Sequence, residues 1–241
     1  EEFFGQGATG RCAGGVRYQF ATEVNIRLSL ASLPMLERFE EEFGQAIDYH
    51  KLGYLFLLTN EQDLETFRQN QQLQRSLGVE TEWLEGDEIR RRLPYMNLDD
   101  VLAGTNHAKD GIVDPNGVVM GYISAASSLG AVALTNTPVT DVHVQDGQIT
   151  GVETPAGTVS SPIVVNATGP WAGLIGEMAG VSIPITPLRR QWLTTSALPD
   201  LPPDFPFVID FAQSLYFHRE GAGLLTGMSN PDEEPGFNQS V

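Results

Sequence analysis

Apolar and polar residues in the first third of the chain alternate at helical spacing in two stretches. From Leu28 to Phe43 the apolar positions recur every three to five residues, and Gly44 follows them. This pattern predicts an amphipathic helix that Gly44 terminates. A second, polar helix is predicted from Asn60, a residue type that caps helix N-termini, to about Leu77.

Strand signals surround these helices and return towards the end of the chain. Residues 49–58 form an apolar run of strand length. Further strands are predicted at 188–195, 207–209, 215–218 and 224–226. We expect the strand signals at 49–58, 188–195 and 214–226 to join one mixed sheet.

The middle of the chain mixes helices with hairpins. Its predicted elements are a buried helix at about 117–129, a short strand at 131–134, an antiparallel meander of 139–144 and 149–153, a central parallel strand at 163–165 and a helix at about 170–179. This mixture predicts an α/β fold of two domains interleaved along the chain. One would hold 1–17 and 101–183, and the other 18–100 and 184–241.

The net charge and the cysteine count limit the classes of function and the cellular location that this chain can have. With 31 acidic and 14 basic residues the net charge is −17, which excludes an electrostatic surface for nucleic acid or for anionic membranes. The single cysteine, Cys12, allows no intrachain disulfide and favours a reducing, cytoplasmic location. The charge-free run 115–140 is too rich in glycine and serine to predict a transmembrane segment.

Two small-residue segments have the chemistry to approach an anionic ligand. Residues 5–17 contain five glycines together with Thr9 and Arg11, so backbone N–H groups, a hydroxyl and a cation are available. Residues 164–172 read as strand, tight turn and helix N-terminus, a geometry that presents unpaired N–H groups. A flexible loop and an ordinary strand–helix turn have similar compositions, so both interpretations stay open at this point.

A third group of residues suits a substrate carboxylate. Arg189 and Arg190 lie at the start of the strand predicted at 188–195, and Tyr216 to Arg219 lie on another strand. Because strand side chains alternate between faces, Tyr216 and His218 share a face, and Arg219 points away from it. No histidine has the spacing of a metal ligand, so no metal site is expected.

Taken together, these motifs resemble the FAD-dependent oxidoreductases of the D-amino-acid oxidase superfamily, and most closely the β-subunit type of sarcosine oxidase and amino-acid dehydrogenase. The segments that carry the resemblance are 7–12, 14–17, 53–55, Asp110-Gly111 with Asp114-Pro115, 165–171 and 216–219. Their order and spacing match over essentially the whole chain.

The resemblance implies a partial Rossmann-like FAD domain at 1–17 and 101–183, interleaved with a substrate domain at 18–100 and 184–241. The substrate domain would be a mixed, largely antiparallel sheet with helices on one face. A small amine or amino acid, like sarcosine, glycine or proline, would transfer a hydride to non-covalent FAD. Partner subunits or a homo-oligomer are also expected.

The resemblance also assigns residues to the site. Those placed at the cofactor are Gly7, Ala8, Thr9, Arg11, Gly14, Gly15, Val16, Val139, Ala167, Thr168, Gly169, Trp171 and Gln191. Those placed at the substrate are Arg17, Arg190, Tyr216 and His218.

Parts of the family pattern are missing from the chain. The strand–GxGxxG–helix unit and the acidic residue that holds the ribose would fall before Glu1, and the segment that closes over the flavin would follow Val241. We therefore expect an internal piece of a longer enzyme that alone neither holds FAD tightly nor turns over an amine. The histidine that anchors a covalent flavin in some sarcosine oxidase β subunits would fall near Pro115, and this chain has no histidine there. No covalent flavin is therefore expected.

Two other functions stay open. A non-catalytic remnant or interaction module would keep the fold without the cofactor, and a hydroxy-acid oxidoreductase would use the same fold. An Arg–Tyr pair that binds a carboxylate beside the flavin favours an amino-acid substrate, whereas a histidine base there favours a hydroxy acid.

Overall fold

The computed structural model describes residues 1–237 and contains six α-helices and twelve β-strands in that range. The helices are α1 (Glu23–Glu37), α2 (Phe39–Phe43), α3 (Glu61–Ser76), α4 (Gly86–Arg92), α5 (Pro115–Ser128) and α6 (Ala172–Met178). The strands are β1 (Gly15–Val16), β2 (Tyr54–Leu58), β3 (Glu82–Glu85), β4 (Ala103–His107), β5 (Gly111–Ile112), β6 (Asp141–Gln145), β7 (Gln148–Thr154), β8 (Gly157–Ser160), β9 (Trp192–Thr194), β10 (Phe207–Asp210), β11 (Leu215–Glu220) and β12 (Gly223–Met228).

The backbone divides into two compact units that interleave along the chain. The first comprises Glu1–Arg11, Ala126–Arg189 and the residues from Asn230 onward, and the second comprises Cys12–Ala125 and Arg190–Ser229. These ranges differ from the predicted domain ranges because β1 pairs with β5 and β4 pairs with β2, which ties residues up to 125 to the second unit. The assignment of FAD and substrate to separate domains stays a prediction, and the last four residues of the range 184–241 lie outside the described residues.

The second unit contains a seven-stranded mixed sheet, in the order β3-β4-β2-β10-β11-β12-β9. Only β2 and β10 pair in parallel, and the other neighbours are antiparallel. The expectation of one mixed, largely antiparallel sheet is therefore confirmed. The parallel pair places residues from distant parts of the sequence side by side at its centre.

Apolar side chains cover both faces of this sheet. All five residues of β2 are buried, and alternate residues point to opposite faces. Tyr54 and Phe56 pack with Phe67 of α3 on one face, whereas Leu57 packs with Ile89 of α4 on the other. The mixed α/β class is confirmed. The helices, however, lie on both faces of the sheet and not on one, because a strand with apolar side chains on both faces needs packing partners on each face.

Local signals set the helix ends. Asn60 caps α3, since its side-chain oxygen accepts a hydrogen bond from the backbone N–H of Asp63 at 2.9 Å. The helix predicted over 28–43 is divided into α1 and α2, and it ends at Gly44 in the left-handed conformation (φ 66°). No helix within residues 1–237 has the combined length and apolar character to cross a membrane.

The first unit contains the predicted meander but lacks two predicted strands. Strands β6, β7 and β8 form an antiparallel three-stranded sheet, as expected. The segments 131–134 and 163–165 are not strands, and Ile163 and Val165 are 74% and 82% exposed. An extended run becomes a strand only when a neighbouring backbone takes its hydrogen bonds, and none of the described strands pairs with these two.

Helix α5 corrects a further prediction. The helix at 117–129 is present, but within α5 only Gly117 and Gly121 are buried, and Leu129 just beyond its end is 89% exposed. The apolar composition of this stretch therefore did not indicate burial. Its two glycines lie where the helix touches other residues, since a Cβ at Gly121 would overlap the ring of Phe39.

Candidate functional site

Arg17 lies beside three aromatic rings in the second unit. Its guanidinium carbon is 4.6 Å from the ring centre of Phe20, 5.2 Å from that of Phe56 and 5.9 Å from that of Tyr54. Among the described residues, no carboxylate forms an ion pair with this guanidinium, and no acceptor takes a hydrogen bond from it. The cation is thus held by ring faces while its N–H donors remain available.

The electrostatics of Arg17 favour an anionic ligand. Burial lowers the pKa of Arg17, and the neighbouring Tyr54 and Asp110 partly oppose that shift. The ring faces replace only part of the hydration that this half-buried cation has lost, since no anion among the described residues contacts it. A carboxylate that accepts two parallel N–H bonds would supply the missing interaction.

Tyr54 and Phe207 lie next to Arg17 and form a stacked pair. Their ring centres are 4.1 Å apart, and the planes differ by 11°. The backbone of β1 passes against them at Gly15, where a Cβ would overlap the Tyr54 hydroxyl and lie 3.1 Å from Phe207 Cε2. Only glycine allows this approach.

The hydroxyl of Tyr54 remains a proton donor. Burial raises the pKa of Tyr54, and Arg17 lowers it by less. Within residues 1–237 this hydroxyl makes no hydrogen bond. Tyr54 was not among the predicted site residues. The sequence pattern that could have identified Tyr54 is the alternation of side chains along β2, which puts it on the same face of the sheet as Phe56.

Tyr216 and His218 share a face of β11, as predicted from strand alternation. The ring of Phe207 lies 6.0 Å from that of Tyr216 and 4.9 Å from that of His218. Arg219 donates instead to the carbonyl oxygens of Gly221 and Leu201, at 3.1 and 3.3 Å. The strand therefore separates Arg219 from the aromatic face.

Tyr216 and His218 differ in what they offer a ligand. Tyr216 is half-buried, and no described residue accepts a hydrogen bond from its hydroxyl; burial raises the pKa of this phenol, which Arg190 lowers. His218 is 1% exposed, its Nδ1 lies 2.7 Å from the Arg219 carbonyl oxygen, and its Nε2 has no partner among the described residues. The imidazole thus lies inside the fold with no edge towards solvent.

The structure brings part of the predicted substrate set together. Arg17 lies with Tyr54, Tyr216 lies over Gly227 (where a Cβ would overlap its hydroxyl), and Arg190 is close enough to act on the charge of Tyr216. Gln191 is exposed, and its carbonyl oxygen also borders Gly227. Which of these residues touch a ligand stays a prediction.

Four of the predicted cofactor residues belong to the second unit: Gly14, Gly15, Val16 and Gln191. Gly14 has φ +67°, and a Cβ there would overlap the Val113 carbonyl oxygen, so the position requires glycine on two counts. The Gly14 carbonyl accepts the Val113 N–H at 2.9 Å, and Gly15 and Val16 form β1. These bonds fix the backbone that leads to Arg17.

The other predicted cofactor residues belong to the first unit and are largely exposed. Thr9 to Arg11 form a short 3₁₀ turn, with Ala8, Thr9 and Arg11 exposed and open space around Gly7. Val139 is half-buried just before β6. These groups lie at the surface of the unit, where a ligand has access to them.

The turn at 167–169 is braced by a side chain that precedes it. Asn166 Nδ2 donates to the Ala172 carbonyl oxygen at 2.9 Å, and Asn166 Oδ1 accepts the Thr168 hydroxyl at 2.8 Å. Ala167, Thr168 and Gly169 are exposed, whereas the half-buried Trp171 stacks on Phe237 at 6.2 Å. The turn is therefore ordered but open to solvent.

The chemistry of residues 3–22 fits a dinucleotide diphosphate. This stretch contains two arginines and no acidic residue, in a chain of net charge −17. Arg11 supplies a cation, Thr9 a hydroxyl donor, and the clear space around Gly7 lets a ligand reach the backbone. These are the groups that FAD, with its pyrophosphate, requires from a binding segment.

A buried carboxylate that was not predicted as a site residue adjoins Arg17. Asp110 is fully buried, and its carboxylate accepts hydrogen bonds from the Tyr18 backbone N–H at 2.8 Å and from Gln19 Nε2 at 3.0 Å. His107 Nδ1 lies 2.9 Å from it. Asp110 carried part of the resemblance, but its role emerges only from contacts that are distant in sequence.

Comparison with known proteins decides the family. The model of the FAD dependent oxidoreductase family, DAO, matches residues 1–240. The chain belongs to this family of FAD-dependent oxidoreductases. The predicted resemblance and the predicted cofactor FAD are therefore confirmed at the level of the DAO family.

Curated relatives and a solved structure agree with this assignment. Rat mitochondrial dimethylglycine dehydrogenase is 31% identical over 95% of this chain, and human mitochondrial sarcosine dehydrogenase is 31% identical over 92%. The chain spans only 27% and 25% of their lengths. The crystal structure of L-proline dehydrogenase from P. horikoshii is 32% identical and superposes with a TM-score of 0.87, covering 99% of this chain and 64% of that one.

Proposed function

We propose that this DAO-family chain is part of an enzyme that oxidises a small amino acid or N-alkyl amino acid by hydride transfer to FAD. The observation that carries the proposal is the Arg17 guanidinium among aromatic rings, which donates a hydrogen bond to no acceptor within residues 1–237. Two phenol hydroxyls in the same aromatic group likewise donate to none of the described residues. Such a set binds a carboxylate through a charge-assisted bidentate contact and leaves apolar ring faces for the rest of a small substrate.

Each residue of the set has a distinct part in the proposed reaction. Arg17 would hold the substrate carboxylate, and the Tyr54 and Tyr216 hydroxyls would donate further hydrogen bonds. Both phenols have a raised pKa and so stay protonated. The stacked rings of Tyr54 and Phe207 would exclude water from the substrate's carbon–nitrogen bond and restrict its orientation.

The cofactor contributes the redox chemistry. FAD, when bound, accepts the hydride from the substrate carbon that bears nitrogen. Thr9, Arg11 and the backbone at Gly7 would hold the diphosphate of FAD. The turn at 167–169 would be a second segment that contacts the cofactor. We propose that the flavin is non-covalent.

The names of the relatives support an amino-acid substrate. Two act on dimethylglycine and sarcosine and one on L-proline. All three substrates combine a carboxylate with a substituted amine, which is the combination that Arg17 and the ring faces suit. Partner subunits stay part of the proposal, as the name of the related sarcosine oxidase subunit beta of Rhodobacter capsulatus indicates for that protein. The cytoplasmic location rests on the single cysteine alone, and the two dehydrogenases above are mitochondrial.

Matched substrates test the proposal. The full-length protein is purified with its flavin and mixed without oxygen with L-proline, sarcosine, pyrrolidine, dimethylamine or L-lactate. We expect the visible flavin band to bleach with proline or sarcosine and far more slowly with pyrrolidine or dimethylamine, which lack only the carboxylate. Bleaching by lactate alone would favour the hydroxy-acid alternative. A full-length protein that binds no flavin would favour the non-catalytic alternative.

A further inference from the structure

Asp110 forms a buried hydrogen-bond centre behind the Arg17 cluster. Its Oδ1 accepts the Tyr18 N–H at 2.8 Å and lies 2.9 Å from His107 Nδ1, while its Oδ2 accepts Gln19 Nε2 at 3.0 Å. The side chain of Asp110 has no exposed surface. A carboxylate in this position is costly to bury unless all these donors are in place.

The same centre ties together the two chain segments that carry Arg17 and Tyr54. Gln19 Nε2, which donates to Asp110, also donates to the Tyr54 carbonyl oxygen at 2.8 Å. On the other side, the Gly53 N–H donates to the Asp110 carbonyl oxygen at 2.8 Å. Asp110 is therefore hydrogen-bonded to Tyr18 and Gln19, which follow Arg17, and to Gly53, which precedes Tyr54.

We propose that Asp110 is a positioning residue that fixes the Arg17 guanidinium relative to the Tyr54 hydroxyl and thereby sets the affinity of the site for a substrate carboxylate. This inference rests on the proposed function. Asp110 does not itself touch the substrate, because it is fully buried. It acts through the Tyr18 N–H and through Gln19.

The charge of Asp110 adds a second effect. It opposes the lowering of the Arg17 pKa that burial causes, yet it forms no ion pair with the guanidinium. Asp110 therefore supports the cation from a distance and leaves the guanidinium N–H donors to the ligand. A carboxylate in direct contact with Arg17 would compete with the substrate.

A nearby aspartate offers a matched control. Asp114 also accepts two hydrogen bonds through its side chain, from the N–H groups of Asn116 and Gly117 at 2.9 and 3.0 Å. These bonds stabilise the first turn of α5, and none of them involves Tyr18, Gln19 or Tyr54. Asp114→Asn therefore disturbs a capping carboxylate without altering the tie between Arg17 and Tyr54.

The test compares Asp110→Asn with Asp114→Asn in the full-length flavoprotein. Asparagine keeps the size of the side chain, but its NH₂ group faces the Gln19 amide, and a flip of Gln19 would break the bond to the Tyr54 carbonyl. We expect Asp110→Asn to raise the acetate dissociation constant, measured by calorimetry, and the KM for L-proline by about ten- to a hundred-fold, the effect of one lost charge-assisted hydrogen bond. Flavin content, kcat and turnover of pyrrolidine should change little.

A second variant covers the case in which Asp110→Asn does not fold. Gln19→Leu keeps the Asp110 bonds to Tyr18 and His107 and removes the two bonds that Gln19 Nε2 donates, one to the Asp110 carboxylate and one to the Tyr54 carbonyl oxygen. Because the Tyr18 bond and the charge of Asp110 remain, acetate affinity should fall by a smaller factor. Unchanged acetate affinity in the Asp110 and Gln19 variants, or an equal loss in Asp114→Asn, overturns the inference. Failure of the proposed function would appear separately, as an unsubstituted protein that binds acetate but oxidises no amino acid. An unsubstituted protein that binds no acetate would overturn the inference as well.

Discussion

Replacing Arg17 by methionine tests the proposed carboxylate anchor. Methionine keeps an unbranched apolar stem and removes the cation. The lost interaction is a bidentate contact in a half-buried site, which is worth about 3–5 kcal/mol when one partner is truncated. We therefore expect kcat/KM for L-proline to fall by roughly a hundred- to several-thousand-fold, mostly through KM.

Stability should respond to Arg17→Met quite differently. The contacts that are lost within the described chain are cation–π contacts, worth about 0.5–1 kcal/mol at a partly exposed site. Burial lowers the pKa of Arg17, which means that the fold destabilises the charged guanidinium. Replacing Arg17 therefore removes part of this destabilisation. We expect the unfolding free energy to change by less than about 1 kcal/mol, or a Tm shift of no more than about 4 °C.

Two companion variants complete the experiment. Arg17→Lys keeps the charge but not the planar pair of donors, so it should recover only a small part of kcat/KM. Arg219→Met removes hydrogen bonds to the Leu201 and Gly221 carbonyls on the opposite side of β11 and should lower Tm with kcat/KM unchanged. Steady-state kinetics and thermal unfolding are measured on each variant. If the kcat/KM of Arg17→Met for L-proline stays within about three-fold of the parent value, Arg17 is not the carboxylate anchor. Loss of a charged contact in this site would lower kcat/KM by far more than that.

Three further outcomes follow from the same contacts. Gly15→Ala should cost about 1–3 kcal/mol of stability and raise KM, because the added methyl overlaps Tyr54, whereas Gly7→Ala, with open space around it, should be nearly neutral in thermal unfolding. Arg11→Ala should weaken FAD binding by about ten-fold or more in fluorescence titration, while Arg38→Ala, at an exposed ion pair, should not. Because the pKa of Tyr54 is raised above 10.0 in the fold, the unfolded chain releases that proton first, so stability to urea should fall as pH rises above 10, and Tyr54→Phe should reduce that fall.

The elements that sequence reasoning located correctly carry their signal within a few residues. Asn60 caps α3 through Asp63, three positions away, and the meander of β6 to β8 is built from adjacent strands and tight turns. The alternation that put Tyr216 and His218 on one face is equally local. Such features follow from backbone geometry and neighbouring side chains, so the order of residues is enough to predict them.

The apolar run 163–165 shows where that reasoning ends. Its composition is that of a buried strand, yet its outer residues are exposed and it pairs with none of the described strands. Pairing and burial depend on which backbone lies alongside, and no local pattern specifies this. The same holds for α5, whose apolar residues are partly exposed.

By itself the sequence determined the mixed α/β class, the family and two of the groups at the candidate site, Arg17 and Tyr216. Only the tertiary structure added Tyr54 and Asp110. The bond from Tyr18 to Asp110 joins residues 92 positions apart, and that from Gln19 to Tyr54 joins residues 35 apart. Contacts at such separations arise only when distant segments meet in the folded chain, since the chain must close long loops before any of these side chains can interact.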